Sequence, residues 1–136
     1  MSGCRSVIMR YLTKDELLDL HIYAVMRYGG RLGISSQDRL QTVLHAPHQK
    51  MFGVELYPDV CSKGAALTYL LIKSRPFVGG NEITALMALL RFLELNDAAL
   101  SAAIAEGDLF WLIRAINYSD LDKEGLEDWL RDNVLV

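Results

Sequence analysis

The sequence is poor in the residues that would tie it to a membrane, a metal or an oxidising compartment. It has no run of the ~18 uncharged apolar residues that a membrane-spanning helix needs. Its longest apolar run, Gly64 to Ile72, stops at Lys73. Met1 to Arg10 contains no apolar core of the kind a secretory signal carries. The two cysteines, Cys4 and Cys61, are too few for a disulfide framework and read as inert small hydrophobes in a reducing cytoplasm. Three histidines, His21, His45 and His48, stand apart without motif partners; they read as surface or core-filling residues, and no metal is expected. The three prolines, Pro47, Pro58 and Pro76, fall where elements are expected to begin or end.

What is abundant is apolar surface. The chain has 136 residues, 51% of them apolar and 23% charged. That excludes a disordered chain and fits one domain over residues 1–136. So apolar a composition also predicts that part of the surface is covered by a partner or a second copy. The net charge of −3 is unevenly spread. Residues 1–93 carry 11 Lys and Arg against 7 Asp and Glu, whereas residues 94–136 carry 3 against 10. An acidic C-terminal third argues against nucleic acid along that face and reads as a solvated helical surface or a face for a basic partner.

The pattern is all-α. Thr13-Lys-Asp-Glu16 is a capping box, and Leu17, Leu20, Ile22, Val25 and Met26 keep roughly helical spacing to Tyr28. Gly29-Gly30 is expected to close that helix as a left-handed cap. Ser35 and Ser36 offer caps for a second helix carrying Leu40, Val43 and Leu44, closed by Pro47. Residues 50–58 alternate around Gly53, so a small extended flap is expected, with Met51, Phe52, Val54 and Leu56 as its candidate partner-binding side chains. Pro58 and Asp59 suit the first turn of a third helix, apolar on most sides and therefore central. After a break at 75–80, Asn81 to Leu95 resumes helical spacing. Three short amphipathic helices are expected at 98–105, 108–117 and 122–132, with Trp111 and Trp129 packed inward.

The informative stretch is Arg75-Pro-Phe-Val-Gly-Gly-Asn-Glu-Ile-Thr84-Ala85, a Gly-rich turn between two apolar helices. Free backbone amides beside a helix N-terminus favour phosphate. The stretch resembles the signature of the Fic/Doc family, H-P-F-x-D-G-N-K-R-T-A. Met51 to Pro58, Lys63 to Leu67, Ala88 to Asn96 and Tyr28-Gly-Gly30 agree with that family, the last with its Doc branch, and the resemblance covers roughly residues 11–115. It implies a compact helical fold. It also implies transfer of AMP or phosphate from a nucleotide to a protein hydroxyl. In Doc toxins the target is elongation factor Tu, and an antitoxin peptide lies in a groove near the active site.

The same comparison places the family's His on Arg75, its acid on Gly79, its Lys on Glu82 and its Arg on Ile83, while Pro76, Phe77, Gly80, Asn81, Thr84 and Ala85 are kept. A general base must shed its proton near neutral pH, which arginine does not do. Gly79 brings no carboxylate for Mg²⁺, and Glu82 repels phosphate. The expectation is a Doc-like protein that works by protein binding, with no cofactor; ATP with Mg²⁺ enters only under the alternative of a toxin with rearranged chemistry, for which Glu55 and Tyr57 are the nameable bases. An antitoxin-like peptide is expected near the 50–57 flap and the 75–85 loop. Among the loop positions, Phe77 reads as a core plug, Gly79 and Gly80 as turn or phosphate-contacting glycines, Asn81 as a helix cap, and Thr84 as a helix residue bonding back to a carbonyl. Arg75 is a solvated cation, a partner of Glu82 or an anion ligand.

Overall fold

The computed structural model describes residues 8–136; Cys4 and most of the Met1–Arg10 segment lie outside the described residues. Six α-helices and two short strand pairs are found among them. Helix α1, Lys14–Tyr28, begins at the expected box: Glu16 N–H donates to Thr13 Oγ1 at 3.1 Å and Thr13 N–H to Glu16 Oε1 at 3.2 Å. Gly29, with φ 90° and ψ 175°, ends it in a conformation open to glycine but not the left-handed cap expected. Helix α2, Gln37–His45, is capped by Ser36 Oγ and runs into a 3-10 turn, Ala46–His48, that carries Pro47.

The flap is a real hairpin. β1, Lys50–Met51, pairs antiparallel with β2, Val54–Glu55. The two residues between them, Phe52 and Gly53, both have positive φ, 53° and 79°, the signature of a type I′ turn, whose twist matches that of the flanking strands. Asp59 then caps α3, Val60–Ser74, by accepting from Ser62 N–H at 2.9 Å. Ten of the fifteen residues of α3 are buried, as a central helix requires. It packs chiefly on α4, Asn81–Leu95, and also meets α2, α5 (Glu106–Asn117) and α6 (Lys123–Asn133), while α1 lies on α4. Leu17, Leu40, Leu67, Leu71, Leu89, Phe92, Leu112 and Leu130 join in one core cluster.

Two further expectations fail. Residues 98–105 form no helix: β3, Ala99–Leu100, pairs with β4, Val134–Leu135, and Ser101 N–H donates to Asn133 O at 2.7 Å. A strand partner more than thirty residues away has overridden local helix preference. Trp111 does not pack inward; it is 56% exposed, because α5 buries Leu112, Ile113, Ala115 and Ile116 instead. Trp129 is half-buried against the core as expected.

Candidate functional site

The loop between α3 and α4 is held on three sides. Its outer edge pairs with the segment after α1: Ile34 forms an antiparallel bridge with Phe77, Val78 N–H donates to Gly33 O at 2.9 Å, and the Ser35 and Ser36 amides donate to Pro76 O. From the helix side, Asn81 brackets the loop. Phe77 N–H donates to Asn81 Oδ1, and Asn81 Nδ2 donates to Phe77 O, both at 3.0 Å. Asn81 is therefore a loop brace and not the helix cap expected. Gly80, with φ 68°, takes the cap position with no side chain to offer, leaving the side chain of Asn81 free to close the turn behind it.

From below, Phe77 plugs the core at 2% exposure, as expected, and stacks on His21, ring centroids 3.9 Å apart and planes 8° apart. His21 Nδ1 lies 3.1 Å from Thr84 Oγ1. Thr84 thus bonds to a side chain of α1 and not back to a carbonyl. The neighbouring glycines are required by close approach. A Cβ on Gly79 would stand 2.9 Å from Arg31 N, and one on Gly80 3.1 Å from Val25.

Arg75 ends α3 in a left-handed conformation, φ 51° and ψ 64°. Its guanidinium donates to Glu82 Oε1 at 3.0 Å and approaches Asn117 Oδ1 at 3.5 Å. Of its three readings, pairing with Glu82 is the one found. Both side chains are partly exposed, so the pair contributes little to stability, but it fixes where the charges sit. The amides of Gly79 to Ile83 take no hydrogen-bond partner among the described residues, and the Glu82 carboxylate stands in the first turn of α4, where the positive end of the helix favours it. Beside this pair opens a cavity of about 290 Å³ lined by Glu82, Ile83, Phe110, Ile113, Arg114, Asn117 and Tyr118. No group of three or more His, Cys, Asp or Glu able to hold a metal ion exists among the described residues, and Gly79 brings no carboxylate to the loop.

The hairpin sits elsewhere. Lys63, 1% exposed near the start of α3, donates to Pro47 O and to Glu55 Oε1, each at 2.8 Å. The bond and charge of Lys63 hold the Glu55 carboxyl below its ordinary value. Tyr57 Oη is likewise taken, accepting from Lys123 Nζ at 2.8 Å. Lys63 and Arg75 are separated by about 18 Å of helix at 1.5 Å per residue. No hydrogen bond joins hairpin to loop among the described residues. Met51, Phe52, Val54 and Leu56 are all exposed, Phe52 at 99%. Sequence reasoning missed Lys63. It is the lone charge within the apolar stretch from Val60 to Ile72, and a charge placed there demands a partner. A second apolar face, Ile22, Tyr23 and Met26 on α1 with Leu32 after it, is also exposed.

This helical frame and braced loop are those of a recognised class. The sequence model of the Fic/DOC family matches residues 11–93, and the chain belongs to that family. Its likeness is to the Doc branch: it is 32% identical over 92 residues to Toxin Doc of Mycolicibacterium smegmatis (strain ATCC 700084 / mc(2)155), a match covering 68% of each chain. No described helix is long and apolar enough to cross a membrane.

Proposed function

We propose that this chain is a Doc-type protein whose motif loop no longer carries phosphoryl or nucleotidyl transfer, and which acts in the cytoplasm by binding a protein partner such as an antitoxin-like peptide. The observation that carries the reading is the Arg75–Glu82 pair at 3.0 Å. By the family resemblance these two positions belong to the base and to a phosphate-binding cation. Here one holds a permanent cation and the other a carboxylate, each neutralising its neighbour where a triphosphate needs positive charge. Gly79, at the position of the acid, has the Arg31 backbone against it and no room for a side chain. The alternative bases are engaged: Glu55 on Lys63 and Tyr57 on Lys123. Protein binding is supported by the apolar side chains left in solvent on the hairpin and on α1, since exposed apolar groups gathered on one face mark interaction sites; a second copy of the chain is the other occupant they suit.

The test is a melting-temperature titration with ATP and GTP, with and without Mg²⁺, beside a transfer assay with γ- and α-labelled ATP on elongation factor Tu. A ligand that binds the folded state must raise its melting temperature. The expected result is no saturable shift at millimolar nucleotide and no label transferred. Saturable stabilisation with transfer, both lost in Arg75→Ala, overturns the proposal and establishes the active toxin.

A further inference from the structure

His21 lies where four parts of the chain meet. It is 3% exposed, on α1. Its ring stacks on Phe77 of the loop, its Nδ1 meets Thr84 Oγ1 of α4 at 3.1 Å, and its Nε2 accepts from Gly33 N–H at 3.4 Å. The Gly33 amide can only donate, so Nε2 must be the bare nitrogen. The single proton of the neutral ring then belongs to Nδ1, which donates to Thr84. One protonation state satisfies both contacts. A second proton would set Nε2–H against Gly33 N–H, donor facing donor, on a residue that is only 3% exposed.

Nothing charged offsets that cost. Phe77 of the loop stacks on the ring, Thr84 of α4 and Gly33 after α1 meet its two nitrogens, Gly80 stands beside it, and Leu18, Ile22, Leu32 and Ile34 line a cavity of about 270 Å³ together with it. None of these titrates. Burial alone holds the imidazole below its ordinary value of 6.5.

We propose that His21 is a positioning residue and an acid-released latch: neutral, it clamps the motif loop to α1 and to the 33–36 segment; protonated, it lets the loop open while the helical core stays folded. The latch acts on the loop whatever the loop binds, so it stands or falls apart from the function proposed above.

The first test uses the unaltered protein. ¹⁵N chemical shifts at neutral pH should show the His21 proton on Nδ1; a proton on Nε2 overturns the assignment. The second is amide exchange, corrected for intrinsic rates, followed from pH 8 to pH 5. The Val78, Ser35 and Ser36 amides, all bonded across the clamp, should be less protected than those of Leu67 and Leu71 in α3. Their protection should fall as pH drops below 6.5, with about tenfold per pH unit as the steepest slope that one-proton linkage allows. In His21→Asn, which bonds without titrating, that slope should vanish. Loop protection that is flat with pH, a slope that survives in His21→Asn, or loop amides that match Leu67 and Leu71 at every pH each overturn the latch.

Discussion

At the scale of the residue, the loop shows where backbone constraint and side-chain chemistry part company. Arg75 is a bulky L-residue at φ 51°, where all but glycine are strained by roughly 1–2 kcal/mol, and the exposed pair it makes returns little. Arg75→Gly should therefore raise stability by about 1 kcal/mol, read as a higher urea midpoint at unchanged slope; a fall would show that the contacts with Glu82 and Asn117 outweigh the strain. Asn81 is the opposite case. Its side chain is the partner of both the N–H and the carbonyl of buried Phe77, and each group left unpaired costs about 1–3 kcal/mol. Asn81→Ala should be among the most destabilising polar substitutions in the chain, by about 2–6 kcal/mol from those two groups in the same measurement. Gly79→Asp, offered as a repair of the loop, should destabilise and restore no transfer, because its Cβ meets the Arg31 amide at 2.9 Å.

At the scale of the element, local rules placed most of the helices, and nonlocal contacts account for what local rules missed. The Thr13–Glu16 box, the Ser36 cap and the Phe52-Gly53 turn sit within four residues of the groups they satisfy, so the sequence announces them. His21 with Thr84 and β3 with β4 are partners across tens of residues, and no window of sequence contains both halves. The same applies to function: the position of each loop residue was legible, but the jobs of Asn81 and Thr84 depend on what the fold brings against them. Lys63 shows the energetic consequence. Its ammonium is buried and its only anion among the described residues is Glu55 on the hairpin. Removing the carboxylate strands a buried charge, whereas replacing the lysine with an apolar residue removes charge and need for a partner together. Glu55→Ala should therefore lower stability more than Lys63→Met does. Both should speed exchange of the Leu56 amide, which is held by Gln49 O at the hairpin base; equal stability losses would mean that Pro47 O alone satisfies the lysine.

At the scale of the whole molecule, the perturbed acids and the buried histidine act in one direction but in separate windows of pH. His21 is held below 6.5 by burial, so the folded state resists a proton that the unfolded chain accepts. Its contribution is complete above pH 6.5 and declines as pH falls from there through the folded-state value. Asp59 is net lowered from 3.8: burial works to raise it, but the Ser62 amide and the Arg131 guanidinium outweigh burial. Glu55 is lowered from 4.5 by the bond and charge of Lys63. Both favour the folded state above those ordinary values, and the stabilisation is lost as pH falls below them. Stability against urea should thus be level between about pH 7 and 8, drop below 6.5 as His21 and His48 resist protonation, and drop further below about 4. His21→Asn should shrink the upper step, leaving the share of His48, which desolvation also holds below 6.5, and should not touch the lower one. Asp59→Asn should shrink only the lower step, weakening the tie between α3 and α6 made through Arg131 at 2.9 Å. A single smooth decline unaffected by His21→Asn would mean that the histidine takes up its proton without cost, and that the contacts converging on the loop are looser than their geometry requires.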